Sequence, residues 1–149
     1  MELIPIKATI EANVKFANNP LCQETLSFSI DYYKVVGFSP PWICYYASLH
    51  GDLVGSAAFK GRPINGAVEI AYSTFDNFRR QGIGATICEK LVEVSLKTNP
   101  SIRITARTLP ERNYSTRILE KNKFTFLGVV QDLDDGSVWE WEYRGSKYQ

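Results

Sequence analysis

The sequence has little of what marks many chains immediately. Its three cysteines, Cys22, Cys44 and Cys88, lie far apart and are odd in number. Neither a disulfide framework nor a zinc-ligand spacing can be built from them, so free thiols in a reducing compartment are expected. No apolar run approaches the ~20 residues of a spanning helix, and the opening MELIPIKATIEANVKF lacks a basic stretch followed by an apolar one. A soluble cytoplasmic protein with no membrane partner is the expectation. Lys+Arg 17 against Asp+Glu 16 leaves a formal charge of +1, too even to present a domain-wide basic field to nucleic acid. There is one histidine, His50, and no repeat, low-complexity segment or linker.

What is there has globular composition: 44% hydrophobic and 22% charged residues in 149. That length fits a single domain, 1–149, with one core and one main site.

LIPI (3–6) reads as a short strand, after which Thr9 caps a helical stretch through IEANVKFANN, where Ile10, Val14 and Ala17 recur at helical spacing. LCQETLSFSIDYYKVV (21–36) places Leu21, Thr25, Phe28 and Tyr32 or Tyr33 along one side of a second helix that Gly37 closes. WICYYASL and LVGSAAFK flank HGD (50–52) and form an antiparallel hairpin. GAVEIAYSTF (66–75) is a long strand, and from Ile83 the period changes, with Ile87, Leu91 and Val94 following on one helical face. SIRITART (101–108) alternates as a strand, NYSTRILEKNK (113–123) is helical, and FTFLGVVQDLDDGSVWEWEY closes the chain as a hairpin. In its last strand Trp139, Trp141 and Tyr143 share one face, leaving Glu140 and Glu142 as solvated neighbours on the other.

Between the long strand and the helix at Ile83 stands FRRQGIGA (78–85). Glycines at such a junction let backbone N–H groups converge on an anion at an electropositive helix start, while the plainer reading is a tight turn with solvated arginines. No Lys-Ser/Thr pair follows Gly84, and Ile87 stands where a dinucleotide fingerprint needs its third glycine, so neither common nucleotide loop fits.

The spacing Arg79-x-x-Gly82-x-Gly84 between strand and helix resembles the acyl-CoA pyrophosphate loop of the GNAT superfamily of N-acetyltransferases. The likeness runs through VEIAYSTFDNFRRQGIGATICEKLVEV into PERNYSTRILEKNKFTFLG, which is similar to the PEN-x-A-S-x-x-V-L-E-K-x-G-F segment of the branch containing ribosomal-protein N-terminal acetyltransferases. It covers about half the chain. The resemblance implies a single α/β (α+β) domain with a central, mostly antiparallel sheet that splays near Ile70 to Ser73. It implies acetyl-CoA as acyl donor, with no metal. Arg79, Arg80, Gln81, Gly82, Ile83, Gly84 and Ala85 would hold the pyrophosphate, the arginines matching phosphate oxygens with their planar forks. Ile70, Ala71, Tyr72 and Ser73 would pair with the pantetheine arm and direct an N–H at the thioester oxygen, stabilising the oxyanion of a tetrahedral intermediate. Gly82→Val is expected to block acetyl-CoA binding by steric closure.

An amine attacks a thioester only when neutral; at pH 7 about 14% of an α-amine, but only about 0.04% of a lysine, is in that form. Glu69, where the branch carries a carboxylate facing the acceptor, is the expected general base, its plainer role being a surface glutamate on an alternating strand. The family's usual tyrosine acid falls on Leu119, a loss the low pKa of a leaving thiol makes tolerable. Ser115 matches the serine of PEN-x-A-S and either contacts the CoA sulfur or caps the helix. The family's asparagine falls on Arg112, with Asn113 next, and Lys123 replaces the glycine before Phe124. Tyr33, Phe38 and Trp42 are candidates to line an acceptor cleft, and Asp132, Asp134 and Asp135 could attract a cationic acceptor. The expected partner is an amine-bearing small molecule or a protein N-terminus. A non-catalytic acyl-CoA-binding or sensor module and a phosphate-binding domain without CoA specificity remain open, as does the oligomeric state, a homodimer included.

Overall fold

A computed structural model describes residues 1–145; the last four residues of the expected 1–149 domain lie outside the described residues. Seven strands, β1 (Glu2–Pro5), β2 (Cys44–Leu49), β3 (Asp52–Phe59), β4 (Ala67–Thr74), β5 (Arg103–Thr108), β6 (Phe124–Asp132) and β7 (Gly136–Tyr143), form one sheet in the order β1-β2-β3-β4-β5-β7-β6. Every neighbouring pair is antiparallel except β4 and β5, which run parallel. The α-helices are α1 (Gln23–Val36), α2 (Ile83–Thr98) and α3 (Tyr114–Lys121). None is long and apolar enough to cross a membrane.

Local chemistry accounts for the joints. Leu49 faces Asp52 across a two-residue turn in which His50 and Gly51 both have positive φ, 53° and 87°, the twist that antiparallel strands prefer. Gly37 ends α1 at φ 88° and donates its N–H to Tyr33 O. Asn113 caps α3: its side chain accepts from Thr116 N–H at 3.1 Å while Thr116 Oγ1 accepts from Asn113 N–H at 3.0 Å.

The core lies on both sheet faces. Gly55 on β3 approaches Ile87 of α2 on one face. On the other, Tyr46 of β2 donates its hydroxyl to Cys22 O beside the start of α1 and packs on Phe16 at 4.7 Å between centroids. Cys22, Leu26, Ser29 and Tyr33 are the buried residues along α1. The apolar line expected there is therefore misphased: Leu21 is exposed, and Phe28 is 66% exposed and stacked on Tyr32. The stretch after Thr9 is also corrected. It is a 3-10 helix, Glu11–Phe16, that buries Asn13 and Phe16 and leaves Ile10 and Val14 in water. Thr9 Oγ1 accepts from Ala12 N–H, and the Asn13 side chain ties Lys7 and Thr9 together, so side-chain hydrogen bonds organise this segment.

Candidate active site

β4 pairs with β3 from Ile70 to Thr74 but with β5 only from Ala67 to Ile70. Beyond Ile70 and Ala106 the two parallel strands part. Lys60 N–H bonds to Glu69 O and Phe75 N–H to Val54 O, so these odd-numbered residues direct their backbone groups toward β3. Strand alternation turns those of Tyr72 and Thr74 the other way, into the opening where β5 no longer pairs. The backbone of Tyr72 and Thr74 is thus available to an extended ligand arm.

The opening leads to the glycine loop. Arg79 is extended, Arg80 takes a left-handed conformation with φ 66°, Gly82 does so again with φ 76°, and α2 begins at Ile83. Such alternation directs successive N–H groups to one side, at the electropositive start of a long helix. A cleft of about 520 Å³ lies there, lined by Tyr72, Thr74, Arg79, Arg80, Tyr114 and Ser115 among others.

The two glycines serve different ends. A Cβ on Gly82 would meet no protein atom within 4 Å, so within the fold its need for glycine is the positive φ. A Cβ on Gly84 would stand 2.7 Å from Ile118 Cδ1 and 3.3 Å from Thr74 Oγ1, so here the glycine lets α2, α3 and β4 come together.

The sequence-based candidates separate by location. Ser73, Arg79 and Arg80 line the cleft with Tyr72, and Gly82 and Ala85 line an adjoining groove. Gln81 is exposed, while Ile70, Ile83 and Gly84 are buried, leaving only their backbone to a ligand. Ala71 faces α1 across a cavity of about 170 Å³ that Thr25, Phe28 and Ser29 help to line. Capping belongs to Asn113 and Thr116, so Ser115 is not the helix cap; it stands half-buried in the cleft. Leu119, on which the resemblance sets the acid position, is fully buried. Tyr114, singled out by no sequence signal, lines both the cleft and the groove.

Glu69 lies on the other face of β4, in line with Ala71 and Ser73. It is half-buried and paired rather than freely solvated: its Oε2 is 2.7 Å from Lys60 Nζ and its Oε1 3.8 Å from Arg107 Nε. Arg107 also pairs with Asp132 at 2.9 Å and Glu140 at 3.1 Å. Burial opposes the charge of Lys60, but hydrogen bonding to Glu69 and the field of its carboxylate outweigh it and hold the ammonium above its ordinary value. Glu69 and Ser115 consequently stand on opposite sheet faces, with the gap between β4 and β5 joining them.

Three further placements concern side chains. Tyr33 is a core residue, donating its hydroxyl to Ile6 O at 2.7 Å and accepting from Cys44 N–H at 2.9 Å. Phe38 packs edge-on against Tyr33 and Trp42 edge-on against Phe59, both at 5.1 Å between centroids, and neither lines the cavity beside Ala71. Glu140 and Glu142 are not simply solvated: Glu142 is buried between Arg103 and Arg144, both at 2.7 Å, and Glu140 holds Arg107. Cys88 lies behind Tyr72 in α2; burial pushes its thiol up to about 12, so it stays protonated at neutral pH. Among the described residues no group of three or more His, Cys, Asp or Glu side chains is arranged to hold a metal ion.

Comparison with known proteins adds to this geometry. The sequence profile of the Acetyltransferase (GNAT) family matches residues 15–124. An uncharacterized N-acetyltransferase of Bacillus subtilis (strain 168), YjdG, is 31% identical over 93 residues, which span 62% of this chain and 52% of that relative. The match thus spans about half the relative's length. Among solved structures, a spermidine N-acetyltransferase chimera from Vibrio cholerae and hSSAT superposes with a TM-score of 0.71 at 13% identity, covering 99% of this chain and 98% of the other. A ribosomal-protein alpha-N-acetyltransferase in complex with coenzyme A superposes with a TM-score of 0.65 at 19% identity, covering 95% and 97%. At these identities the superpositions speak for the fold alone.

Proposed function

Because this chain belongs to the acetyltransferase (GNAT) family, we propose that it transfers the acetyl group of acetyl-CoA to a primary amine. The observation carrying this reading is the parting of β4 from β5 after Ile70, which opens directly onto the left-handed loop at Arg80 and Gly82. An acyl-CoA needs both: backbone groups for its amide-bearing arm, and converging N–H groups with cations for its diphosphate. The chain offers Tyr72 and Thr74 for the first, and Arg79 to Ala85 for the second. Bound there, the donor supplies an activated acyl carbon.

The chain's own residues then have separate tasks. Glu69, facing the α1 side of the opening, takes up the proton the amine must lose, directly or through water, and its pair with Lys60 fixes the carboxylate in place. The Tyr72 backbone N–H, aimed into the gap, donates to the acyl oxygen as charge develops on it. Ser115 donates a hydroxyl on the thiol side. In the balance of the transfer, one C–N bond forms, one C–S bond breaks, and the amine proton ends on solvent or on the departing thiolate.

The acceptor is a small amine or a protein N-terminus, the two classes named for the neighbours above. The cavity beside Ala71, walled by Thr25 and Phe28, is where it enters. A second reading, a non-catalytic acyl-CoA module, is favoured by one pair of observations: Leu119 fills the acid position and Glu69 is already paired.

Isothermal titration with acetyl-CoA, followed on the same sample by a free-thiol assay over a panel of amines, tests both. Binding with thiol release supports the enzyme, binding without release the module, and no binding overturns the assignment.

A further inference from the structure

A second groove, of about 390 Å³, continues from the cleft between the first turn of α2 and the exposed side of α3. Arg80, Tyr114, Arg117 and Ile118 line both spaces, and Gly82, Ala85 and Lys121 line only the groove. Its charge is one-sided. Arg79 is paired with Asp76 at 3.2 Å and Arg112 with Glu120 at 3.0 Å, but among the described residues Arg80, Arg117 and Lys121 have no carboxylate partner.

This concentration of uncompensated cations is unusual for a chain whose formal net charge is only +1. Arg117 and Lys121 stand four residues apart on α3, where like charges oppose one another on adjacent turns and weaken a short helix. Both side chains are exposed, so neither supports the core. An arrangement that works against its own helix and feeds a groove opening from the cleft is explained by an anion that neutralises it.

We propose that this groove is a second phosphate subsite, in which Arg117 and Lys121 bind the 3′-phosphate of coenzyme A and make the protein select 3′-phosphorylated donors. The inference rests on the proposed function, since the donor's diphosphate must already lie at Arg80. Arg80 bridges the two subsites, and the nucleoside between the phosphates runs past Tyr114, which lines both spaces. A phosphate monoester carries close to two negative charges at neutral pH and suits a paired guanidinium and ammonium.

Isothermal titration of the whole protein with acetyl-CoA and with acetyl-3′-dephospho-CoA, at low and physiological salt, tests it. The expected result is binding of acetyl-CoA at least about tenfold tighter, a preference that narrows as salt rises. In the double variant Arg117→Gln, Lys121→Gln the preference disappears. Equal binding of the two donors by the unsubstituted protein overturns the inference and leaves the proposed function standing. Retention of the preference by the double variant overturns it in the same way. Failure of both donors to bind removes the proposed function and this inference with it. The exposed positions of Arg117 and Lys121 make loss of folding an unsuitable explanation, and circular dichroism of the double variant checks that directly.

Discussion

Lys60 Nζ lies 2.7 Å from Glu69 Oε2, so the carboxylate nominated as base is anchored by a cation from the neighbouring strand connection. Glu69→Gln keeps the shape of that contact and removes the proton acceptor. Turnover with a fixed amine is expected to fall by about 10²-fold, with acetyl-CoA affinity nearly unchanged. Steady-state kinetics beside calorimetric titration checks this. Equal loss of both quantities would contradict the separation of acceptor chemistry from donor binding by the two sheet faces.

Substitution of the two loop glycines by alanine should separate conformational from steric need. Gly82→Ala places a Cβ in open space but at φ 76°, costing about 1 kcal/mol. Gly84→Ala puts a methyl group 2.7 Å from Ile118 Cδ1 and should cost about 1–3 kcal/mol, against the usual gain of alanine in a helix. Urea denaturation gives both values, and shortening Ile118 to valine should relieve the second only.

Lys123 adopts φ 67° at the position the resembling family gives to glycine. The left-handed conformation is unfavourable for lysine, so Lys123→Gly should stabilise the fold by about 0.5 kcal/mol, net of the greater freedom glycine brings to the unfolded chain. Thermal melts of the two proteins decide it; an unchanged or lower Tm would show that contacts of the lysine compensate.

Asp132 titrates below its ordinary value of 3.8 because the Asp134 N–H and the Arg107 guanidinium bond to its carboxylate. A carboxylate with a depressed folded-state pKa stabilises the fold above its unfolded value, and the contribution fades as pH falls through the folded one. Asp132→Asn should therefore be less stable than the unsubstituted protein near neutrality, with the difference shrinking below about pH 4. Denaturation curves across that range measure it.

The order of strands and helices and the glycine loop were legible because each rests on a local signal: the His50-Gly51 turn, the alternation of 66–75, the change of period at Ile83. The long-range arrangement was less so. The gap between β4 and β5 is a property of a strand pair far apart in sequence, Ala67 with Arg103 to Ile70 with Ala106, and resemblance alone suggested it. The buried side of α1 was misread because Phe28 and Tyr32 stack on each other at the surface while Ser29 takes a core position. Glu142 was misread because the arginines that offset its burial come from β5 and from the residue following β7. Tyr114 escaped notice because its importance comes from where α3 meets α2, which no local pattern encodes.

β7 is inserted between β5 and β6, pairing with both, although it follows them in the chain. During synthesis β5 and β6 therefore emerge before the strand that joins them, and until residues 136–143 leave the ribosome β5 retains an unpaired edge and β6 has no partner. Trp141 then arrives with its indole N–H bound to Thr108 Oγ1 and its ring against Phe126. A nascent chain stopped short of that tryptophan would carry five paired strands ending in the open edge of β5, with β6 unpaired, which makes this late segment a point at which aggregation competes with folding.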